Sequence, residues 1–195
     1  MKILHAILAG GLFLSATAGH TQPDSAKITQ KALLFADSLI KTDWYETWSA
    51  YANLAPASVI KFYGGKDGYI EHIQKFRGRT KSDQAEDDPQ LKMVDLMVRD
   101  EQWQCVIRMS RWFHKEGTKY HQITYFIGQS KDEGESWRLF DVSYNRVANI
   151  IYMFPEINGD LPIEEPTIMS EEQELAMQKK AEADAVAAKK VVKKK

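Results

Sequence analysis

Four stretches of the chain decide its fold: residues 91–99 read LKMVDLMVR, 102–114 QWQCVIRMSRWFH, 119–129 KYHQITYFIGQ and 136–143 SWRLFDVS. Each is dense in β-branched and aromatic residues, the composition that suits a pleated, half-buried surface. The links at 100–101, 115–118 and 132–135 are too short for the crossovers that parallel strands require. The four strands therefore form an antiparallel meander.

The periodicity upstream is helical. After Asp24 or Ser25, either a suitable N-cap, residues 26–41 carry Ile28, Ala32, Phe35, Ala36, Leu39 and Ile40 on one stripe. Asp43 is positioned to cap a second, short helix rich in aromatics (Trp44, Tyr45, Trp48, Tyr51). Residues 59–63 form a short apolar stretch closed by Gly64-Gly65. Tyr69, Ile70, Ile73 and Phe76 then define a third helix over 66–77. Residues 78–90 are polar and read as a loop. Helices first and strands afterwards give the α+β class: N-terminal helices packed on a curved antiparallel meander sheet, with a charged C-terminal tail.

Side chains alternate between the faces of a strand, so the short turns allow both faces to be written out. One face carries Val94, Leu96, Val98, Trp103, Cys105, Ile107, Met109, Phe113, Tyr120, Phe126, Trp137 and Leu139, and the helices are its natural cover. Polar residues interrupt it towards one end at Arg111, Gln122, Thr124, Asp141 and Ser143. The register puts Asp141 beside Phe126 and Ile107, where a carboxylate has to be paired, hydrogen-bonded or raised in pKa. Arg111 is its natural charged partner. The opposite face holds Met93, Met97, Val106, Trp112, Ile123, Tyr125, Ile127, Phe140 and Val142. So much apolar area predicts either a homodimer contact or cover from residues 147–154, which could form a strand or a helix.

The N-terminus begins with Lys2, an apolar run over 3–14 and the small residues Ser15, Ala16, Thr17 and Ala18, the order of a secretory signal. The run is shorter than a membrane span of roughly 20 residues. Cleavage after Ala18 leaves a soluble periplasmic or secreted protein. Cys105 is the only cysteine, so no intramolecular disulfide can form and a packed core has to supply stability. Residues 24–155 form the domain and 156–169 a proline-containing linker. Residues 170–195 form an Ala/Glu/Lys-rich tail, helical or disordered, that opens with the capping-box pattern Ser170-Glu171-Glu172-Gln173. Net charge is −1, and the tail's seven lysines against five acids leave the domain mildly acidic. That is a poor electrostatic footprint for nucleic acid.

Several chemistries fail on composition and spacing. His114 and His121 fall on the outer face near a hairpin end, with Lys119 beside them, and read as surface residues rather than metal ligands. Cys105 lies in apolar company that favours an inert thiol. No glycine-rich phosphate loop follows a strand, and no serine nucleophile elbow is present. Tyr45, Trp48, Tyr51 and Tyr63 could line a pocket for a flat apolar or aromatic ligand, with Arg111, Gln122, Thr124 and Asp141 orienting it.

Three motifs in order carry a resemblance: Lys41-Thr42-Asp43-Trp44, Phe62-Tyr63-Gly64-Gly65-Lys66-Asp67-Gly68 and Trp137-Arg138-Leu139-Phe140-Asp141-Val142. Over residues 26–144 the chain resembles the nuclear transport factor 2-like, or cystatin-like, α+β cone superfamily. The resemblance implies a curved sheet wrapped over helices, a pocket at the cone's open end and frequent dimerisation through the outer sheet face. It does not imply one activity, and the catalytic Asp or Asp–His pairs of its enzymatic branches have no clear match here. The expected function is a non-catalytic exported domain that binds a small organic ligand or a protein partner and uses no cofactor or metal. The alternatives are an acid/base isomerase or dehydratase using Asp141, and an interaction module acting through the outer sheet face.

Overall fold

The computed structural model describes residues 24–80, 84–85, 88–145 and 147–192; the expected signal, 1–18, lies outside them. Helix α1 spans Ser25–Trp44, with the Asp24 carboxylate accepting from the Ala26 amide at 3.0 Å, and it buries Ile28, Ala32, Ala36, Leu39 and Ile40. It runs one turn further than its stripe predicts. Asp43 therefore belongs to its last turn, and Thr47 takes the N-cap position of α2, Trp48–Leu54.

The apolar stretch at 59–63 is itself part of a helix, α3, Ala57–Phe62, entered from Pro56, whose fixed φ suits a helix start. Gly64 and Gly65 adopt φ of 80° and 118°. Their amides return to the carbonyls of Lys61 and Ile60 at 3.0 and 2.9 Å, a termination that only glycine makes without strain. The next helix, α4, covers Lys66–Thr80. Gly68 packs against the Tyr63 carbonyl so closely that a Cβ would stand 2.1 Å from that oxygen.

Six strands form one antiparallel sheet among the described residues: β1 Gln84–Ala85, β2 Gln90–Arg99, β3 Gln102–Lys115, β4 Thr118–Ser130, β5 Arg138–Asp141 and β6 Thr167–Ser170. β3 and β4 are central. β1 and β2 share the free edge of β3, and β5 and β6 share that of β4. The sheet curves without closing.

The expected pairings hold from β3 onward, with Cys105 opposite Gly128, Ile107 opposite Phe126, Arg111 opposite Gln122 and Phe126 opposite Asp141. They fail in the outer half of β2. A bulge between Met93 and Asp95 skips Val94, and the side chain of Asp95 accepts from the Leu96 amide at 2.9 Å. The extra residue reverses parity, so Leu91 and Met93, not Val94, sit opposite Met109 and Ile107 and pack on the core. Val94 and Val98 are exposed.

The apolar outer face has an intramolecular cover. Residues 147–149 form a 3-10 turn and Ile150–Met153 a short helix, α5, which answers the strand-or-helix question in favour of helix. Ile150, Met153, Phe154, Ile157 and Leu161 are buried in one cluster with Val106, Ile127, Phe140 and Val142. Gln104 anchors the passage, donating to the Glu156 carbonyl and accepting from the Asn158 amide, both at 2.8 Å. Much of the stretch expected as a linker, 156–169, is thus packed structure, and its end is β6. The reason is hydrophobic: the outer-face residues form a surface that this segment's Ile and Leu side chains remove from water. The surface that led to the homodimer expectation is occupied by the chain itself.

Helix α6, Glu171–Val192, follows β6 directly. Ser170 Oγ accepts from the Gln173 amide at 3.2 Å, and Gln173 Oε1 accepts from the Ser170 amide at 3.0 Å, the reciprocal pair the sequence announces.

Candidate functional site

The last turn of α1 brings Leu39, Ile40, Asp43 and Trp44 to one end of the inner sheet face. There they enclose a cavity of about 220 Å³ with Tyr51 of α2, Met109, Arg111 and Phe113 of β3, Gln122 and Phe126 of β4, and Asp141. Ser143, Pro166 and Ile168 complete the wall. The walls are aromatic and aliphatic, and the polar groups converge from different elements.

Asp141 is the most constrained of them. Its Oδ1 accepts from the Ser143 amide at 2.8 Å and from Thr124 Oγ1 at 3.4 Å, and Thr124 in turn accepts from Ser143 Oγ at 2.6 Å. Burial raises the carboxyl from 3.8 to about 6. The hydrogen bonds from Ser143 work against that rise, the charge of Asp43 adds to it, and Arg111 subtracts from it. Arg111 is not a close partner of Asp141 as the sequence suggests. Its Nε donates to Gln122 Oε1 at 2.7 Å, and its guanidinium carbon lies 5.9 Å from the centre of the Phe113 ring.

Of the eight residues singled out from sequence, Tyr51, Arg111, Gln122 and Asp141 line this cavity. Thr124 is fully buried and supports Asp141 from beneath. Tyr45 follows α1, is 76% exposed and is not part of this lining. Trp48 packs edge-on against Tyr51 at 6.3 Å, outside the lining. Tyr63 belongs to a neighbouring network, donating to Asn145 Oδ1 at 2.6 Å with His72 Nε2 at 3.2 Å. An open groove beside that network is lined by His72, Asn145 and Glu165 and shares Ser143 and Pro166 with the cavity.

Asp43, Trp44, Pro166 and Ile168 escape the sequence reading as site residues. Asp43 was legible, because it continues the Ala36–Leu39–Ile40 stripe by one more helical step. Nothing local marks Pro166 and Ile168, which reach the cavity because β6 pairs with Tyr120–Ile123 of β4.

A second polar cluster lies on the outer face. His121, expected at the surface, is 9% exposed: Trp112 stacks on it at 4.5 Å and α6 covers it. Ser110 Oγ stands 2.7 Å from His121 Nε2, and Glu174 Oε2 stands 2.9 Å from Nδ1. The connectivity is that of a nucleophile–base–acid relay. Ser110, however, sits inside β3, opposite Gln90 on one side and Ile123 on the other. Backbone amides there serve the strand ladders rather than an oxyanion. The cluster instead fixes α6 to the sheet. Glu174→Ala is expected to release the helix, seen as faster amide exchange over 171–185, with a loss of about 1–3 kcal/mol from the orphaned imidazole. Unchanged exchange would show that α6 is held by other contacts.

No group of His, Cys, Asp and Glu suited to a metal ion occurs among the described residues, and none of their helices is long and apolar enough to cross a membrane. No protein-family model, curated protein or solved structure matches the chain.

Proposed function

We propose that the chain is an exported protein, cleaved after Ala18, that binds a small organic ligand in the cavity between α1 and the inner sheet face. The observation that carries the reading is the cavity's lining: apolar walls with a few convergent polar groups, the usual make-up of a ligand site. Its volume is below the roughly 300–1,000 Å³ of pockets for drug-sized compounds, which points to a small ligand. Helices preceding a curved antiparallel sheet, with the cavity between them, also support the nuclear transport factor 2-like reading.

Acid/base catalysis is the second reading. It is favoured by one observation: a carboxyl held near 6 inside the cavity is suited to giving and taking protons near neutral pH. Binding remains the first reading because Asp141 already serves the Ser143 amide and Thr124, a structural task that needs no turnover.

Native mass spectrometry of the protein recovered from an exporting cell tests the proposal. The expected result is a chain starting at Gly19 that carries an additional small mass, with that mass lost when Gln122→Trp fills the cavity. A chain retaining Met1 would refute export. A ligand retained by the filled variant would place binding elsewhere. The same spectrum separates monomer from dimer.

A further inference from the structure

Residues 164–174 run along the boundary between two spaces and are pinned at both ends. The open groove, about 540 Å³, adjoins the cavity of about 220 Å³, and Ser143 and Pro166 line both. Glu165 belongs to the groove lining and Ile168 to the cavity lining, so the chain passes from one space to the other at Pro166. At one end the Tyr125 hydroxyl donates to Glu164 Oε2 at 2.6 Å; at the other, Glu174 Oε2 stands 2.9 Å from His121 Nδ1. Between the pins lies β6, four residues paired to the edge of β4 with Ile168 opposite Gln122.

Much of the cavity wall belongs to the core. Leu39, Ile40, Tyr51, Met109 and Phe126 are buried members of the main apolar cluster, and none of them can move aside without opening the domain. The segment around β6 differs. Ile168 is 51% exposed although it lines the cavity, so lifting it uncovers little further apolar surface. Pro162 and Pro166 have no amide hydrogen to give to a ladder. A four-residue edge strand is held by few hydrogen bonds, and such elements open at far lower free energy than a core strand.

We infer that residues 164–170 are a strap that gates the cavity, an inference that rests on the binding reading above. Ligand enters from the groove, past Ser143, when Pro166 and Ile168 swing away from the sheet. Re-pairing of β6 with β4 closes the wall behind it. Tyr125 and His121 then set how often the strap opens, each by holding a glutamate at one end of it.

Thiol labelling tests this without a ligand. Met109→Cys places a thiol inside the cavity at a position 5% exposed, while Cys105, fully buried in the same strand, reports opening of the whole domain. Treated with iodoacetamide under native conditions, the introduced thiol is expected to react at least about tenfold faster than Cys105. Tyr125→Phe, which keeps the ring and removes the hydroxyl, and separately Glu174→Ala are each expected to raise the rate at position 109 at least about fivefold while leaving that of Cys105 nearly unchanged. Equal rates at the two thiols would mean that the cavity opens only with the domain. A rate at position 109 that neither variant changes would put the entrance at another wall. Either result overturns the strap and leaves the binding reading to the mass spectrum. Ile40→Cys, on the α1 wall, gives the same readings should Met109→Cys fail to fold.

Discussion

Replacing Trp137 by alanine is expected to lower the unfolding free energy by about 3–5 kcal/mol, the largest loss at any single side chain here. The indole is fully buried, and its Nε1 donates to the Gly134 carbonyl at 3.2 Å, closing the turn that carries β4 into β5. Gly134 itself lies against Ile28, with a Cβ only 2.9 Å from that side chain were one present, so the same turn seats α1 on the sheet. Gly128 completes the arrangement. A Cβ there would stand 2.6 Å from Cys105 Sγ, 2.9 Å from Leu139 and 3.1 Å from Trp137. The strand leaves out a side chain so that the indole, the thiol and Leu139 can meet.

Removing the indole leaves a cavity where helix, turn and sheet join, and neighbours held by ladder hydrogen bonds cannot collapse into it. Thermal unfolding should fall by roughly 6–20 °C for a chain of this size. A fall within a few degrees would mean that the turn and the helix repack without the ring. The thiol reports on the same packing. Burial drives the Cys105 pKa well above its ordinary value, so a thiol reagent should react with wild type only on unfolding and with the Trp137→Ala chain far sooner.

Parity was enough to place Cys105, Trp137, Leu139 and Phe126 on one buried face, because the turns at 100–101 and 115–118 fix register and a period of two does the rest. It failed at Val94 because a bulge adds a residue without changing composition, and Met-Val-Asp carries no local signal for one. Residues 156–169 show a different limit. Prolines at 155, 162 and 166 suggested an irregular linker, yet residues 167–169 belong to β6, and whether an irregular segment packs depends on the surface it crosses. The apolar outer face was visible in the sequence, and the pairing of the two was not.

The site divides in the same way. Arg111, Gln122 and Asp141 followed from strand parity. Asp43 lay one helical step past the point where α1 was taken to end. His121 was read by its nearest strand neighbours, whereas its partner Glu174 lies 53 positions away in the sequence. Local periodicity reaches neighbours on one element, and both the cavity and the α6 latch are assembled by elements meeting late in the chain.

Asp141→Asn is expected to stabilise the protein at neutral pH and to leave it nearly unchanged at pH 4. The unfolded carboxyl titrates near 3.8 and the folded one near 6. Below 3.8 both states hold the proton and the acid costs nothing. As pH rises from about 4 to 6.5 the unfolded chain releases its proton before the folded chain does, so the folded state binds more protons and stability falls across that window. The separation corresponds to about 3 kcal/mol once both states are ionised. Asparagine keeps an oxygen to accept from the Ser143 amide but carries no charge to desolvate beside Asp43.

Urea unfolding of both chains at pH 4.0, 5.5 and 7.5 should therefore show two curves that coincide at the acid end and separate upward in favour of the variant. If Arg111 instead made Asp141 a stabilising ion pair, the order at pH 7.5 would be reversed, since removing one member of a buried pair strands the other. A retained ligand would also change the outcome in a recognisable way: it would add stability that rises with its concentration. The comparison is therefore made on ligand-free protein first.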